Sequence, residues 1–243
     1  MEQYCKPLDQ EGWSEHYNME SLNNVVNTIV TGNVQVWAKE LMEICRDGNA
    51  ILEIGCGTGI SSLWLAKNGK NVTALDYTAS SVNLVEAAAK KMALANVKVV
   101  QADATQSLPF EKRQFDYIFQ AGLLEHFEKD EQISLLKNWK TYGKYMISMI
   151  PNSASIPYRV GKDIMEKAGT WSYGRETPKA SFAEEFLSAG ITEIREYTIG
   201  TEWALSFLPT KHYIRKFYDK LLKDGYVLDN YMQGYLLVTI GKC

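Results

Sequence analysis

Residues 51–60 read ILEIGCGTGI: an apolar run is followed by three glycines at alternate positions. A glycine costs backbone entropy and offers no side chain for packing. Three of them within five residues, directly after a run typical of a buried strand, indicate that another molecule comes close to the backbone there. A helical pattern begins at Ile60, so the stretch predicts a strand, a ligand-binding turn and a helix.

Composition and charge narrow the class of protein. The 243 residues are enough for one large α/β domain, with 46% hydrophobic and 23% charged residues, as in soluble globular proteins. A formal net charge of −3 argues against a general nucleic-acid binder, because phosphate binding requires a basic surface. No apolar run approaches about 18 residues, and no basic segment leads into one near the start. We therefore expect no membrane partner, no secretory signal and a cytoplasmic location.

Short apolar runs alternate with helical patterns after residue 50. The runs predict strands at 50–54, 71–75, 97–101, 115–119, 144–150, 193–198 and near 235–240. Helical patterns occupy residues 60–67, 80–95 and 129–139. Because strand–helix alternation with short loops requires crossover connections, we predict an α/β fold with a doubly wound, mostly parallel seven-stranded sheet and helices on both faces.

The spacing of the glycines bears on the kind of ligand. The dinucleotide fingerprint G-x-G-x-x-G has its third glycine three residues after the second. Here Gly59 follows Gly57 by two residues, and Ile60 occupies the fingerprint position. A nicotinamide-dependent oxidoreductase therefore remains an alternative with a poor match, and no Tyr-x-x-x-Lys proton-relay motif stands out.

Residues 53–59, EIGCGTG, resemble motif I (E-x-G-x-G-x-G) of the class I S-adenosylmethionine-dependent methyltransferases. Further stretches resemble the family's motifs in the right order: Asp76 after the second strand, Asp103-Ala104 after the third, and FDYIFQ (115–120) as the fourth. The resemblance covers roughly residues 50 to 150. It implies a Rossmann-like fold and an enzyme that transfers a methyl group from S-adenosylmethionine to a small-molecule oxygen or nitrogen nucleophile. A non-catalytic protein that binds S-adenosylmethionine is a further alternative.

The organisation of the chain follows from this core. No repeat or linker is evident, so we predict a single methyltransferase domain over 1–243. Its predicted parts are an N-terminal helical cap (1–49), a cofactor-binding core (50–150) and a substrate or lid insertion (151–180). They are followed by a C-terminal part of the sheet (181–243), which carries an insertion of its own (201–233). The cap is interpreted as two helices broken near residues 31–33.

The resemblance implies a role for each residue of motif I. Gly55, Cys56 and Gly57 would lie against the methionine part of S-adenosylmethionine. Glu53 would help to position that part, through its amino group or through N–H groups of the loop.

The later motifs would hold the nucleoside part. Asp76 would accept hydrogen bonds from both ribose hydroxyls, with Tyr77 flanking the adenine. Asp103 would accept from the adenine amine, and the N–H of Ala104 would donate to the ring. The carbonyl of Gln120 would lie near the amino group of the cofactor.

Catalysis of methyl transfer depends mainly on holding the nucleophile in line and excluding water. A general base is needed where the nucleophile must lose a proton. The segment after the fourth strand provides Glu125 and His126, and a histidine accepts protons near neutral pH. We predict both as catalytic residues. The alternative is that His126 caps or packs under the following helix.

Metal binding is not predicted. Some O-methyltransferases, including ubiquinone-pathway and small-RNA enzymes, carry an E-x-x-E-H pattern here that can bind a divalent metal. In this chain Gly122 holds the first acidic position, and two ligands on one short segment make a weak site. We expect activity to survive chelators.

Free thiols in a reducing compartment are expected for the cysteines, which lack C-x-x-C spacing: Cys5, Cys45, Cys56 and Cys243.

Acceptor binding is assigned to the insertion and the N-terminal segment, which are rich in aromatic and basic residues near the strand ends. The predicted acceptor-binding residues are Tyr17, Tyr158, Arg159, Trp171, Tyr173 and Arg175. An arginine there would orient an anionic group on the acceptor. The alternative is that the aromatic residues anchor the insertion to the core. Residues 210–224 predict a basic amphipathic helix, interpreted as packed on the core. The sequence does not indicate an oligomeric state.

Overall fold

The strands form one twisted sheet in the computed structural model, which describes residues 9–17 and 19–243. Their order is β3-β2-β1-β4-β5-β7-β6. The strands are β1 Ala50–Ile54, β2 Asn71–Asp76, β3 Val97–Gln101, β4 Phe115–Ala121, β5 Gly143–Pro151, β6 Thr192–Ile199 and β7 Leu236–Lys242. Strands β1 to β5 pair in parallel, whereas β7 runs antiparallel to both β5 and β6. The predicted mostly parallel seven-stranded sheet is confirmed; β1 and β3 have the predicted bounds, and the ends of the other strands differ from their predictions by at most two residues.

Helices cover both faces of the sheet. They are α1 Gln10–His16, α2 Leu22–Thr31, α3 Val36–Ile44, α4 Ile60–Lys67, α5 Ala79–Lys91, α6 Lys129–Trp139, α7 Ile156–Lys167, α8 Ala183–Ser188, α9 Thr201–Ser206 and α10 Tyr213–Lys223. Ile51 packs with α3 and α4 residues, and its neighbour Leu52 packs with α6 and α8 residues on the other face. This alternation follows from the two-residue period of a strand.

Two helix boundaries bear on the sequence predictions. The cap breaks where expected, since α2 ends at Thr31 and Gly32 adopts a left-handed conformation with φ of 73°. The prediction that a helix extends to residue 95 is wrong: α5 ends at Lys91, and Ala93 adopts a positive φ of 54°. A left-handed residue cannot continue a right-handed helix.

The insertion after β5 leaves the sheet and returns to the same point. Asn152 and Lys179 form an isolated parallel bridge, so the ends of the insertion lie side by side at the carboxyl end of β5. Helix α7 occupies its first half. The second half, residues 171–179, is called the strap below because it crosses the ends of the central strands.

The later insertion carries α9 and α10. On α10 the side chains of Ile214, Leu221 and Leu222 pack against a buried cluster, as expected for a core-packed amphipathic helix. Helical spacing also puts Phe217 on this apolar face, but Phe217 is exposed and Tyr218 is buried.

The described cysteines carry free thiols, as expected: Cys45 and Cys56 are buried and Cys243 is half-buried. Cys5 lies outside the described residues. Within the described ranges, no helix combines the length and the apolar character needed to cross a membrane.

Candidate active site

The glycine turn between β1 and α4 is fixed by the backbone itself. Gly55, Gly57 and Gly59 have φ values of 72°, 50° and 68°, a region that favours glycine. The N–H of Gly55 donates to the carbonyl of Leu75 at 2.8 Å. A Cβ atom on Gly59 would lie 2.5 Å from a methyl carbon of Val85. The turn therefore needs its glycines for its own geometry, and Gly55 and Gly57 also line the cavity described below.

Asp76 connects the end of β2 to this turn. It is buried, and its Oδ2 accepts from the N–H of Gly57 at 2.9 Å. Its Oδ1 accepts from the N–H and the hydroxyl of Thr78, both at 2.9 Å. Since a carboxylate oxygen has two lone pairs, Oδ1 is fully used by Thr78, whereas Oδ2 keeps capacity for a further donor.

Glu53 lies at the end of β1 with its carboxyl group buried. Its Oε2 accepts from the N–H of Ser62 at 3.1 Å and from the hydroxyl of the same residue. Burial raises the pKa of Glu53 to about 8 despite these hydrogen bonds. A cationic group beside this carboxyl would favour its ionised form.

We expect the Glu53→Gln substitution to reduce the loss of stability at high pH. The folded protein holds the Glu53 proton more tightly than the unfolded chain, so this contribution to stability is present at low pH. It is lost as the pH rises from the usual pKa of glutamate towards about 8. Glutamine can accept from Ser62 and does not ionise. Thermal unfolding from about pH 5 to about pH 9 measures the difference.

The exposed Glu184 provides the matched control for this measurement. Its Glu→Gln variant should follow the wild-type pH dependence. An identical pH dependence in wild type and Glu53→Gln would show that Glu53 is not the group responsible.

A cavity of about 350 Å³ opens at the carboxyl ends of β1 and β4. Main chain of the glycine turn and Gly122 form one side of it. Aromatic side chains from distant parts of the chain form much of the rest, namely Trp13, Tyr17, Trp37, Tyr173, Trp203 and Tyr235. This is where an open parallel sheet binds its ligands, and the volume suits a small molecule.

Glu125 lies in the cavity wall on the short 3-10 turn Leu124–His126. Its side chain is buried, and its Oε2 has no hydrogen-bond partner among the described residues. The strap holds its main chain, because the N–H and the hydroxyl of Thr177 both donate to the Glu125 carbonyl at 2.8 Å. Burial raises the pKa of Glu125 well above its usual range, and the nearby charge of Glu176 adds to this effect.

His126 presents a neutral imidazole to the cavity. Its Nδ1 lies 2.8 Å from the carbonyl oxygen of Arg175 on the strap. A carbonyl only accepts, so Nδ1 carries the proton and Nε2 is left as the basic nitrogen. Burial lowers the pKa of His126, and the ring of Trp13 contacts it edge-on with centroids 5.1 Å apart. The geometry therefore suits a proton acceptor.

Glu176, from the strap, is the acidic residue that the sequence analysis missed. Its Oε2 accepts from the hydroxyl of Tyr158 at 2.7 Å and from Nζ of Lys162 at 2.9 Å. Ligand atoms of Glu125, His126 and Glu176 lie within 4.8 Å of one another. No local pattern marks Glu176, because its place at the cavity depends on contacts between distant parts of the chain.

The predicted acceptor-binding residues fall into two groups. Tyr17 and Tyr173 line the cavity, which they reach from α1 and from the strap. Tyr158 and Trp171 are buried within the insertion, where Nε1 of Trp171 donates to the carbonyl of Gly174 at 3.1 Å. These two residues hold the strap in place.

The predicted arginines are not brought to the cavity. Arg159 is exposed on α7. Arg175 pairs with Glu128, and its main-chain carbonyl, not its guanidinium, contacts His126. Neither arginine is among the described residues that line the cavity. Their predicted contact with an anionic acceptor stays a prediction.

Of the predicted cofactor residues, the motif I group Glu53, Gly55, Cys56 and Gly57 lines the cavity. The others are placed at the ends of β2, β3 and β4, and among the described residues they do not form its wall: Asp76, Tyr77, Asp103, Ala104 and Gln120.

Three of these residues contact the loops around them. The carbonyl of Tyr77 accepts from Nε2 of Gln10 at 3.1 Å, which ties α1 across the turn. Asp103 is exposed and accepts from the N–H of Thr105 at 2.8 Å. The side chain of Gln120 is fully buried and accepts from the N–H of Leu123 at 2.9 Å, so it supports the loop that carries the catalytic candidates.

Comparisons with known proteins find similarity to methyltransferases. Residues 51–144 match a family model described as a methyltransferase domain. N-methyltransferase 4 of Papaver somniferum is 38% identical over 98 residues, which cover 39% of this chain and 27% of that protein. A demethylmenaquinone methyltransferase of Clavibacter sepedonicus is 29% identical over 194 residues, 76% of this chain and 78% of that one.

The fold is also shared with solved structures. A S-adenosylmethionine-dependent methyltransferase from Archaeoglobus fulgidus superposes with a TM-score of 0.58 at 16% identity, over 86% of this chain and 93% of that one. At this identity the likeness shows the fold alone. The chain spans about a quarter of the length of the plant N-methyltransferases that it matches.

Proposed function

Because the chain belongs to the class I S-adenosylmethionine-dependent methyltransferases, we propose that its cavity binds S-adenosylmethionine and transfers the methyl group to a small-molecule oxygen or nitrogen nucleophile. One observation carries this proposal: a single cavity is lined both by the glycine turn and by His126. Cofactor and acceptor would then meet at one edge of the sheet.

The residues present fit the cofactor. Gly55 and Gly57 line the cavity, and the buried carboxyl group of Glu53 lies in the same wall. We assign Glu53 to the ammonium group of the methionine part, because such a cation would offset the cost of ionising a buried carboxyl. Asp76 is assigned to the ribose hydroxyls. Bound S-adenosylmethionine supplies an electrophilic methyl group.

The chain's own residues then position the acceptor, exclude water from the cavity and provide a general base. Aromatic side chains around the cavity exclude water and confine the acceptor. The strap carbonyl of Arg175 fixes the orientation and tautomer of His126, whose Nε2 is available for a proton from the nucleophile. Positioning and proton removal are what this transfer requires, since a thioether leaves without protonation.

Calorimetric titration of the full chain with S-adenosylmethionine, S-adenosylhomocysteine and NADH tests the proposal. We expect both sulfur ligands to bind and NADH not to bind, since Ile60 breaks the dinucleotide fingerprint. Methyl transfer from labelled S-adenosylmethionine to metabolite pools then separates an enzyme from a protein that only binds the cofactor. Binding of NADH without binding of either sulfur ligand would overturn the proposal.

A further inference from the structure

The acidic end of the cavity, formed by Glu125 and Glu176, indicates the chemical class of the acceptor. We propose that the acceptor is an organic amine, which these two side chains recognise as its ammonium ion. This inference rests on the methyl-transfer function proposed above and adds the substrate class.

The first observation is a buried acid with an unused acceptor atom. Glu125 is only 2% exposed, lines the cavity, and its Oε2 has no hydrogen-bond partner among the described residues. Buried polar atoms in proteins are nearly always paired. Because Glu125 belongs to the cavity wall, a ligand bound there is the donor that its carboxyl group lacks among the described residues.

The second observation is a shortage of positive charge. The side chain of Glu176 is 4% exposed and accepts from Lys162 at 2.9 Å. Among the ion pairs of the described residues, Lys162 is the one cation beside these two carboxyl groups. Glu125 thus has no cation of its own, and a ligand ammonium group would supply both the missing charge and the missing donors.

The surroundings favour an organic cation over a metal ion. Trp13, Trp37 and Tyr235 present aromatic rings to the cavity, and such rings attract ammonium groups and pack against their carbon skeletons. A divalent metal prefers several oxygen ligands and bound water, and the Lys162 ammonium that contacts Glu176 repels a divalent ion about twice as strongly as a monovalent ammonium.

The proton balance also suits an amine. An ammonium nitrogen has no lone pair, so it must lose a proton before it can attack. His126 lies beside both acids, and its Nε2 takes that proton as the N–H bond breaks. The freed lone pair forms the new N–C bond while the S–C bond of the methyl donor breaks and its electron pair stays on sulfur.

Matched pairs of amines and alcohols test the inference: 2-phenylethylamine, tyramine and tryptamine against 2-phenylethanol, tyrosol and tryptophol. Each probe is titrated into the full chain, with and without saturating S-adenosylhomocysteine. We expect at least one amine to bind about tenfold more tightly than its alcohol. No preference for the amine in any pair, or no amine binding across the panel, would overturn the inference.

Single substitutions test which side chains cause the preference for amines over alcohols. In Glu125→Gln and Glu176→Gln the amine preference should fall about tenfold, with unchanged affinity for S-adenosylhomocysteine as evidence of a retained fold. Glu184→Gln, on an exposed residue paired with Lys129, should keep it. Persistence of the preference in both cavity variants would refute the assignment.

Two further results would distinguish a metal site from an amine site and would separate failure of this inference from failure of the proposed function. Binding of Mg²⁺ or Mn²⁺ alone that both cavity variants abolish, together with no amine binding, would replace the amine by a metal site. Failure of S-adenosylhomocysteine to bind would contradict the proposed function, whereas the titrations without it would still report on the acidic end of the cavity.

Discussion

Replacing His126 with glutamine is expected to lower kcat by about a hundredfold or more, because a positioned general base contributes roughly that much. The wild-type imidazole lines the cavity and has its proton on Nδ1, held by the Arg175 carbonyl at 2.8 Å, which leaves Nε2 as the basic nitrogen. Glutamine keeps the size and polarity of the side chain but cannot take up a proton. Steady-state kinetics with an identified acceptor measure the loss, while affinity for S-adenosylhomocysteine should stay within about twofold.

The pH profile provides a second readout for His126. A base acts in its neutral form, so activity is present above its pKa and is lost as the pH falls through it. Burial lowers the pKa of His126, which places the acid limb of kcat/KM below the usual histidine range. That limb should disappear in His126→Gln. It should persist in His212→Gln, which changes a histidine that caps α10.

Wild-type kcat in His126→Gln would contradict the base assignment. The imidazole would then be a packing group in contact with Trp13, which agrees with the sequence alternative that it caps or packs under the following helix.

Local signals in the sequence were sufficient for the sheet and the glycine turn. The apolar runs and the alternate glycines act over a few residues, and Gly55, Gly57 and Gly59 do adopt the positive φ values that such a turn needs. The order of the strands and the antiparallel direction of β7 were not predicted, because crossover rules only reduce the number of possible topologies.

Glu176 could not be placed from the sequence because its position depends on long-range contacts. It reaches Glu125 only because Thr177 donates to the Glu125 carbonyl and the ends of the insertion meet at Asn152 and Lys179. The metal argument from the E-x-x-E-H pattern counted only residues of one segment. The strap adds Glu176 as a third potential ligand, and this residue is paired with Lys162 of α7.

The two predicted arginines show that a suitable residue type near the site does not determine where its side chain points. Tyr158 and Lys162 are four positions apart on α7 and share its buried face. Arg159 lies about 100° around the helix from Tyr158, because an α-helix turns 3.6 residues per revolution, and it is exposed. At Arg175 the main chain, which no side-chain pattern reveals, makes the contact with His126.

The second large effect concerns Asp76. We expect Asp76→Ala to weaken binding of S-adenosylmethionine by about ten- to a hundredfold, since lost hydrogen bonds to a charged acceptor are worth on the order of 1.5–3 kcal/mol. Two losses contribute. The carboxylate that is proposed to accept hydrogen bonds from the ribose hydroxyls is removed. The N–H of Gly57 also loses its hydrogen bond to Oδ2, 2.9 Å away, which anchors the glycine turn.

Asp116→Ala is the matched control for this variant. Asp116 also accepts from main-chain N–H groups, those of Asn49 and Ala50 at 2.9 and 3.1 Å, but it does so at the opposite edge of the sheet. Both variants remove a carboxylate that secures the end of a strand, so both should lose stability. Only Asp76→Ala should lose affinity for S-adenosylmethionine in calorimetry. Equal affinity in the two variants would exclude Asp76 from the binding site and leave it a purely structural anchor of the turn.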